Sequence, residues 1–205
     1  MGVLRGLYMN YFTPFVVPIF YEDCSFTERD TLIQSLTEKI VDNNQGLKQV
    51  DNIKDEQFDS FVQSKFEDVF YNQLNHTKKT KPVLVSCWYN FYETGGEIPT
   101  HSHKNSYYSG VYYPYGNLES PIFFENPLEQ SLIICPEVEK RNDFNYITYK
   151  VSCPGECILF FPSYLRHYTM AGSNKKHSIS FNFFVEGLLS AGTKSNFNIM
   201  LHQPE

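Results

Sequence analysis

No stretch of this 205-residue sequence is apolar for long enough to cross a membrane, so no membrane partner is expected. The first twenty residues lack the long apolar segment and the small-residue cleavage site of a signal peptide, and we expect none. Positive charge is not in excess either, since 17 basic residues stand against 23 acidic ones for a net charge of −6. This balance disfavours nucleic acid as a partner, apart from a local basic patch.

Cysteine is sparse, and its pattern completes neither a disulfide framework nor a zinc site. The chain has five cysteines, an odd number, and is large enough to form a core without disulfide staples. Cys153 and Cys157 are spaced as in some zinc sites, but no second cysteine pair supplies the remaining ligands. We therefore predict reduced thiols and a cytoplasmic protein, with a turn at Pro154-Gly155 between two partly buried cysteines.

Aromatic residues, by contrast, are abundant: they make up 17% of the chain, with 18 Phe and 15 Tyr. Such residues favour strands and bury large areas, which predicts a β-rich fold. Two helices, each with one apolar stripe, are predicted at 27–42 and 55–74. Turn-separated strands are predicted elsewhere, namely Phe15–Phe20, Pro82–Tyr92, Ser109–Tyr113, Ile122–Glu125, Ile147–Val151, Cys157–Phe161 and Ser178–Val185.

Short strands that follow two helices are typical of an α+β protein that is mainly β, with helices backing a β-sandwich or jelly roll. The length fits a single domain over residues 1–205. We expect a helical N-terminal part over about 1–80 and a jelly-roll core over about 81–190. The sequence contains no internal repeat or low-complexity segment.

Three histidines stand where a jelly roll can gather them. His101 and His103 are two residues apart, so both side chains point the same way if that stretch is extended. His167 follows an apolar segment and a bend at Pro162-Ser163, which predicts a position at the end of a strand. A jelly roll brings strand ends together at one mouth. Three imidazoles there can hold iron, zinc, copper or nickel and leave positions open for catalysis.

The segment from 176 to 183 alternates polar and apolar residues. Its polar members, which share one face of a strand, are Lys176, Ser178, Ser180 and Asn182. A polar face on a solvent-exposed strand is common, and that interpretation stays open. Because His167 lies just upstream, we favour a face inside the mouth, where Lys176 offers a positive charge and Ser178 a hydrogen bond to a carboxylate.

Taken in order, these motifs resemble those of small Fe(II)/2-oxoglutarate-dependent oxygenases of bacterial and phage type. The matching residues are Trp88-Tyr89-Asn90, Gly95-Gly96, His101-Ser102-His103, Ser109–Tyr113, Phe124–Pro127, Pro154-Gly155, Phe161-Pro162-Ser163, His167, Lys176-His177-Ser178 and Phe181-Asn182. They span about half of the chain. The resemblance implies a double-stranded β-helix, which is a jelly-roll or cupin-like fold, with one Fe(II) ion and 2-oxoglutarate as co-substrate.

The resemblance also implies roles for individual residues. The metal-binding and catalytic residues would be His101, His103 and His167, and the co-substrate would be bound by Lys176, Ser178, Tyr112 and Asn90. Two positions depart from the wider superfamily: His103 stands where a carboxylate is usual, and Lys176 replaces an arginine. Whether His103 binds the metal is therefore open. Lysine lacks the two parallel bonds of arginine, so Ser178 and one of Tyr92, Tyr112 or Tyr113 should help to orient the carboxylate.

The sequence thus predicts an Fe(II)- and 2-oxoglutarate-dependent oxygenase, a hydroxylase that uses dioxygen and acts on a substrate that no motif identifies. Two alternatives remain: a three-histidine metal dioxygenase that does not use 2-oxoglutarate, and a non-enzymatic β-sandwich that binds a partner or ligand. Loss of Lys176 would abolish turnover only in the enzyme that uses 2-oxoglutarate, which distinguishes it from the three-histidine dioxygenase. The number of metal ions bound per chain would distinguish both enzymes from a non-enzymatic β-sandwich. No motif indicates an oligomeric state.

Overall fold

The computed structural model describes residues 16–40, 47–128, 134, 136–142, 144–190 and 196–201. The helices are α1 (Arg29–Glu38) and α2 (Glu56–Asp68), and a π-helical turn at Val69–Gln73 continues α2. The strands are β1 (Phe20–Asp23), β2 (Leu47–Val50), β3 (Thr80–Tyr92), β4 (Ile98–His101), β5 (Tyr108–Tyr113), β6 (Ile122–Glu125), β7 (Thr148–Val151), β8 (Cys157–Pro162), β9 (His167–Thr169), β10 (Lys176–Ser190) and β11 (Asn196–Ile199).

The mainly β protein with two helices that the sequence predicts is confirmed. The first strand begins at Phe20, later than predicted, and lies at the edge of its sheet; residue 15 lies outside the described residues. Helix α1 ends at Glu38, and residues 41 and 42 of its predicted span also lie outside the described part. The sequence missed four strands of three or four residues, namely β2, β4, β9 and β11.

Two antiparallel sheets face each other. The larger has the order β1-β8-β5-β10-β3-β2, with β11 also paired to β10, and the smaller has the order β4-β9-β6-β7. The inner faces enclose one apolar cluster, in which the Phe124 ring of the smaller sheet lies 4.9 Å from the Phe161 ring of the larger. Side chains alternate along each strand, so Ile158 and Phe160 point to the opposite, outer face.

Helix α2 covers that outer face of the larger sheet. The Asp55 carboxylate accepts a hydrogen bond of 2.9 Å from the Phe58 N–H and so caps the helix. Phe58, Val62 and Phe66 recur every four residues and are fully buried. The Phe66 ring lies 4.2 Å from the ring of Phe183 on β10, so the helix fixes the back of the strand whose front face lines the cavity described below.

The predicted pair of reduced thiols at Cys153 and Cys157 is wrong, because the structure joins them in a disulfide. The turn between β7 and β8 folds back through Pro154-Gly155 and brings the two Cα atoms to 6.6 Å, a separation that a disulfide can span. Both cysteines are fully buried, whereas Cys24 and Cys87 are free thiols. Among the described helices, none has the length and apolar character needed to cross a bilayer.

Candidate metal centre

Strand pairing in the smaller sheet places two of the three histidines side by side. His101 is the last residue of β4 and His167 the first of β9, and the antiparallel register sets them directly opposite each other. Directly opposed residues project on the same face of a sheet. Their imidazole centroids are accordingly 4.3 Å apart.

The third histidine, His103, reaches the same place from the loop that follows β4. Its backbone N–H donates to the Ser163 carbonyl at 2.9 Å. Its ring stacks against His167, with centroids 5.1 Å apart, and against Trp88 at 5.5 Å. The possible ligand atoms of His101, His103 and His167 all lie within 4.8 Å of one another, so the structure brings the three predicted ligands together.

The hydrogen bonds of these rings leave nitrogen lone pairs directed at a common point. The Nδ1 atom of His101 lies 3.0 Å from the Pro99 carbonyl, and that of His167 lies 2.9 Å from the Leu165 carbonyl. A carbonyl only accepts, so each Nδ1 carries the proton and each Nε2 keeps a lone pair. The Nε2 atoms of His103 and His167 are only 3.3 Å apart. A cation bound beside both nitrogens would stabilise this arrangement, so the donor set fits a metal ion.

Burial keeps two of the imidazoles neutral, which is the form that binds a metal. Loss of solvent contact, with a smaller effect from neighbouring His101, lowers the pKa of His103 to about 4. Loss of solvent contact likewise lowers the pKa of His167 to about 3. Near neutral pH both rings are ready to donate a lone pair without first losing a proton.

A cavity of about 470 Å³ opens beside the three rings, between the two sheets. Its polar wall is formed by the inner faces of β3 and β10, with Asn90, Tyr92, Lys176, Ser178, Ser180 and Asn182 among the lining residues. The apolar members of the same segment, such as Phe181 and Phe183, face the helices as the alternation predicts. No aspartate or glutamate is among the described residues that line the cavity, so its surface favours anions.

Lys176 is the buried positive charge of this cavity. Its side chain is only 7% exposed, and its Nζ donates to the carbonyl and the hydroxyl of Ser120, at 2.9 and 3.3 Å. Nζ also lies 5.3 Å from the ring centroid of Tyr92 and 5.2 Å from that of Tyr113. No ion pair forms between Lys176 and a described carboxylate. Burial therefore lowers the pKa of Lys176 to about 7.

Tyr92 contributes a second buried polar group to the lining of the cavity. Tyr92 is 2% exposed, and within the described part of the chain its hydroxyl oxygen has no hydrogen-bond partner. A buried hydroxyl without a partner costs roughly 1–3 kcal/mol. Tyr92 lies directly opposite Lys176 in the pairing of β3 with β10. A carboxylate bound between them would accept from both groups, so this end of the cavity fits an anionic ligand.

The other residues predicted to bind the co-substrate lie in different places. Ser178 is buried and lines the cavity. Asn90 lines it too, but its amide accepts from Gln49 at 2.7 Å and donates to Ser180 at 3.1 Å. Tyr112 is not in the cavity: its hydroxyl donates to Glu156 at 2.6 Å on the opposite face of the sheet.

The position of Tyr112 follows from alternation along β5. Tyr113, its neighbour, points into the space between the sheets, so Tyr112 must point to the helices, where its ring lies 5.4 Å from that of Phe58. Of the three tyrosines that the sequence offered, Tyr92 and Tyr113 lie beside Lys176 and Tyr112 does not. Tyr92 lies directly opposite Lys176 on the neighbouring strand. The sequence of one strand does not show which residue of another strand lies opposite, so this pairing could not be predicted.

Residues 86–183 match the sequence model of the family described as "Putative 2OG-Fe(II) oxygenase". This segment contains the three histidines, Lys176, Ser178 and Tyr92. No curated protein matches the sequence.

Solved structures share the fold at low sequence identity. An oxidoreductase of the 2OG-Fe(II) oxygenase family from Burkholderia pseudomallei is 10% identical, with a TM-score of 0.51 and coverage of 75% of this chain and 76% of its own. HygX from Streptomyces hygroscopicus, with nickel and 2-oxoglutarate bound, is 9% identical, with a TM-score of 0.57 and 82% of each chain covered. A prolyl-4-hydroxylase from Pseudomonas putida is 12% identical, with a TM-score of 0.52 and coverage of 82% and 92%. The two facing sheets are thus the predicted double-stranded β-helix.

Proposed function

We propose that this chain, which matches the 2OG-Fe(II) oxygenase family over residues 86–183, is a hydroxylase whose Fe(II) is held by three histidines and whose 2-oxoglutarate is held by Lys176. One observation carries the proposal: the three imidazoles converge at one end of a cavity that has a buried ammonium group and no described carboxylate.

The ring nitrogens of His101, His103 and His167 would hold Fe(II). Three protein ligands leave positions for the co-substrate and dioxygen. The ligands are all neutral, so the ion keeps its full double charge. This greater positive charge would favour binding of the 2-oxoglutarate dianion without a protein carboxylate at the metal.

Lys176, Tyr92 and Ser178 would hold the distal carboxylate of 2-oxoglutarate. A lysine gives a point charge without direction, but here the backbone and side chain of Ser120 fix the position of the ammonium group. The Tyr92 hydroxyl adds a directional donor that currently has no described partner. Together these groups would orient the ligand without the two parallel hydrogen bonds of an arginine.

When bound, Fe(II) and 2-oxoglutarate supply the oxidation: one atom of dioxygen enters a substrate C–H bond to give an alcohol, and the other converts 2-oxoglutarate to succinate and carbon dioxide. The chain's own residues orient these reactants and exclude water. Phe161 and Phe124 wall the buried side of His167, with ring centroids 4.8 and 5.8 Å from its ring. Hydroxylation is favoured over halogenation because His103, as a third ligand, would fill the position at the metal that a halide would need.

The direct test is anaerobic addition of Fe(II) and 2-oxoglutarate to the purified protein. We expect a visible charge-transfer band that requires both additions, and calorimetry should show one 2-oxoglutarate bound per metal-loaded chain. Under air, the same mixture should convert 2-oxoglutarate slowly to succinate even without the primary substrate. A protein that binds iron but not 2-oxoglutarate would instead be the three-histidine dioxygenase, and one that binds neither would refute a metal enzyme.

Binding of 2-oxoglutarate should depend on pH through Lys176. Its folded pKa of about 7 lies below the ordinary 10.5, so the free protein holds a mixture of amine and ammonium near neutrality. The titratable groups facing it, Tyr92 and Tyr113, stay neutral there because burial raises the pKa of each. A bound carboxylate favours the ammonium form and raises the pKa of Lys176, so binding takes up a proton.

We therefore expect the affinity for 2-oxoglutarate to fall as pH rises above about 7, by up to about tenfold per unit. The stability of the ligand-free protein should change with pH in the opposite direction. Between about pH 7 and 10.5 the unfolded chain binds more protons at this lysine than the folded chain does, so the contribution of Lys176 to the free energy of unfolding rises with pH. Calorimetry of the Fe(II)-loaded protein, kept anaerobic, in two buffers of different ionisation enthalpy at pH 8 measures the proton uptake. Equal heats in both buffers would contradict it.

A further inference from the structure

The ammonium group of Lys176 is hydrogen-bonded to a loop rather than to the strands that form the polar wall of the cavity. Both of its described hydrogen bonds go to Ser120, in the segment between β5 and β6. An ammonium group has three N–H donors, so one donor remains for a ligand in the cavity. The direction of this third N–H depends on where the Ser120 carbonyl lies.

Asn117 holds the loop against the end of β7. Its side chain is only 4% exposed, and its carbonyl accepts from the Ser120 N–H at 3.1 Å. Its Oδ1 accepts from the Cys153 N–H at 2.6 Å, and its own N–H donates to the Cys153 carbonyl at 3.0 Å. Its Nδ2 adds a longer bond of 3.4 Å to the Val151 carbonyl. One buried side chain thus joins the turn that carries Ser120 to the neighbouring segment.

Other contacts keep the loop close to its neighbours. A side chain at Gly116 would place its Cβ 2.6 Å from the Cys153 carbonyl, which is too close for a real contact. The Ser120 hydroxyl donates to the Met170 carbonyl at 2.9 Å. Asn117 is not among the described residues that line the cavity, so it can affect a ligand there only through its neighbours.

We propose that Asn117 is a positioning residue, which holds the Ser120 carbonyl in place and so directs the third N–H of Lys176 at the distal carboxylate of 2-oxoglutarate. The inference rests on the proposed function. Without the Asn117 side chain, the N–H of the fully buried Cys153 loses its acceptor. The turn must shift to give that N–H a partner, and Ser120 moves with it because it is hydrogen-bonded to Asn117.

The loss should concern only ligands that carry a distal carboxylate. A hydrogen bond to a charged group is strong enough to change an affinity roughly tenfold. We therefore expect Asn117→Ala to bind 2-oxoglutarate roughly tenfold more weakly. The comparison ligand is 2-oxobutyrate, which offers the same 2-oxo acid group to the metal but lacks the distal carboxylate, and its affinity should not change. A general disturbance of the cavity would weaken both ligands equally.

Calorimetry of the Ni(II)-loaded protein, in which no turnover occurs, measures both affinities. The affinity for 2-oxoglutarate is measured directly, and that for 2-oxobutyrate by competition with 2-oxoglutarate. The proposal is overturned if Asn117→Ala weakens both ligands to the same extent, or weakens neither.

Asn126→Ala is the matched control. Asn126 lies at the opposite end of β6, where its Nδ2 donates to the Tyr146 carbonyl at 2.7 Å just before β7, and it does not line the cavity. This variant should bind both ligands as the unmodified protein does. If it instead shows the same selective loss as Asn117→Ala, the effect does not depend on Ser120 and the proposal is wrong.

Asn117→Ser takes the place of the alanine variant if that chain does not fold. Its shorter side chain cannot reach both Cys153 and Val151, so the same selective loss of 2-oxoglutarate affinity is expected. An unmodified protein that binds 2-oxobutyrate as tightly as 2-oxoglutarate would refute the binding of the distal carboxylate by Lys176, and the role of Asn117 with it.

Discussion

Replacement of His167 by alanine is expected to abolish Fe(II) binding and all conversion of 2-oxoglutarate. His167 is the most buried of the three, and its ring lies 4.3 Å from that of His101 and 5.1 Å from that of His103. Without His167, only His101 at the end of β4 and His103 in the following loop remain as imidazole ligands. The loss should exceed the roughly 10- to 100-fold that follows removal of an outer partner.

The fold should survive this change. His167 is neutral in the folded protein because burial lowers its pKa to about 3, so its removal breaks no ion pair. Iron content after anaerobic loading and gel filtration measures the effect. His76→Ala is the matched control, because the His76 ring hydrogen-bonds the Tyr107 hydroxyl at 2.7 Å and does not line the cavity. A His167→Ala protein that retains one iron per chain would show that the metal lies elsewhere.

Replacement of Lys176 by methionine is expected to weaken 2-oxoglutarate binding strongly while Fe(II) binding remains. Methionine fills a similar volume without the charge. Loss of one partner of a buried charge pair costs about 2–5 kcal/mol, which corresponds to roughly 30- to 5,000-fold in affinity. The variant should be at least as stable as the original chain, because the ligand-free protein no longer buries an ammonium group without a described counter-ion.

Lys175→Ala is the control for this experiment. The two lysines are adjacent, but the Lys175 ammonium lies 5.9 Å from the Phe91 ring on the opposite face of the sheet. We expect that variant to bind 2-oxoglutarate normally. Lys176→Arg should retain part of the affinity, since the charge remains but the wider guanidinium must displace the contacts with Ser120. Normal 2-oxoglutarate binding by Lys176→Met would favour the three-histidine dioxygenase that needs no 2-oxo acid.

Several features were predicted from the sequence because they depend on neighbours along the chain. The alternation at 176–183 correctly separated the cavity face from the helix face of β10, and the bounds of β6 were predicted without error. The His-x-His spacing correctly indicated two side chains in one place. Local sterics set the period of a strand, so these features need no tertiary information.

Other features depended on which strands lie next to each other, and there the sequence was incomplete or wrong. Alternation shows that Tyr112 and Tyr113 point in opposite directions, but only the stacking of the two sheets decides that Tyr112 faces the helices. The turn at Pro154-Gly155 was predicted, but the disulfide that closes across it was not. The cytoplasmic location, which depended on reduced thiols, stays a prediction.

The sequence by itself determined the mainly β class, the two faces of its long strands and the residue types of a metal site with an anion partner. Tertiary structure alone decided that Tyr92 rather than Tyr112 stands beside Lys176. The physical reason is that side-chain direction repeats over two residues, whereas strand partners are chosen by burial across the whole domain.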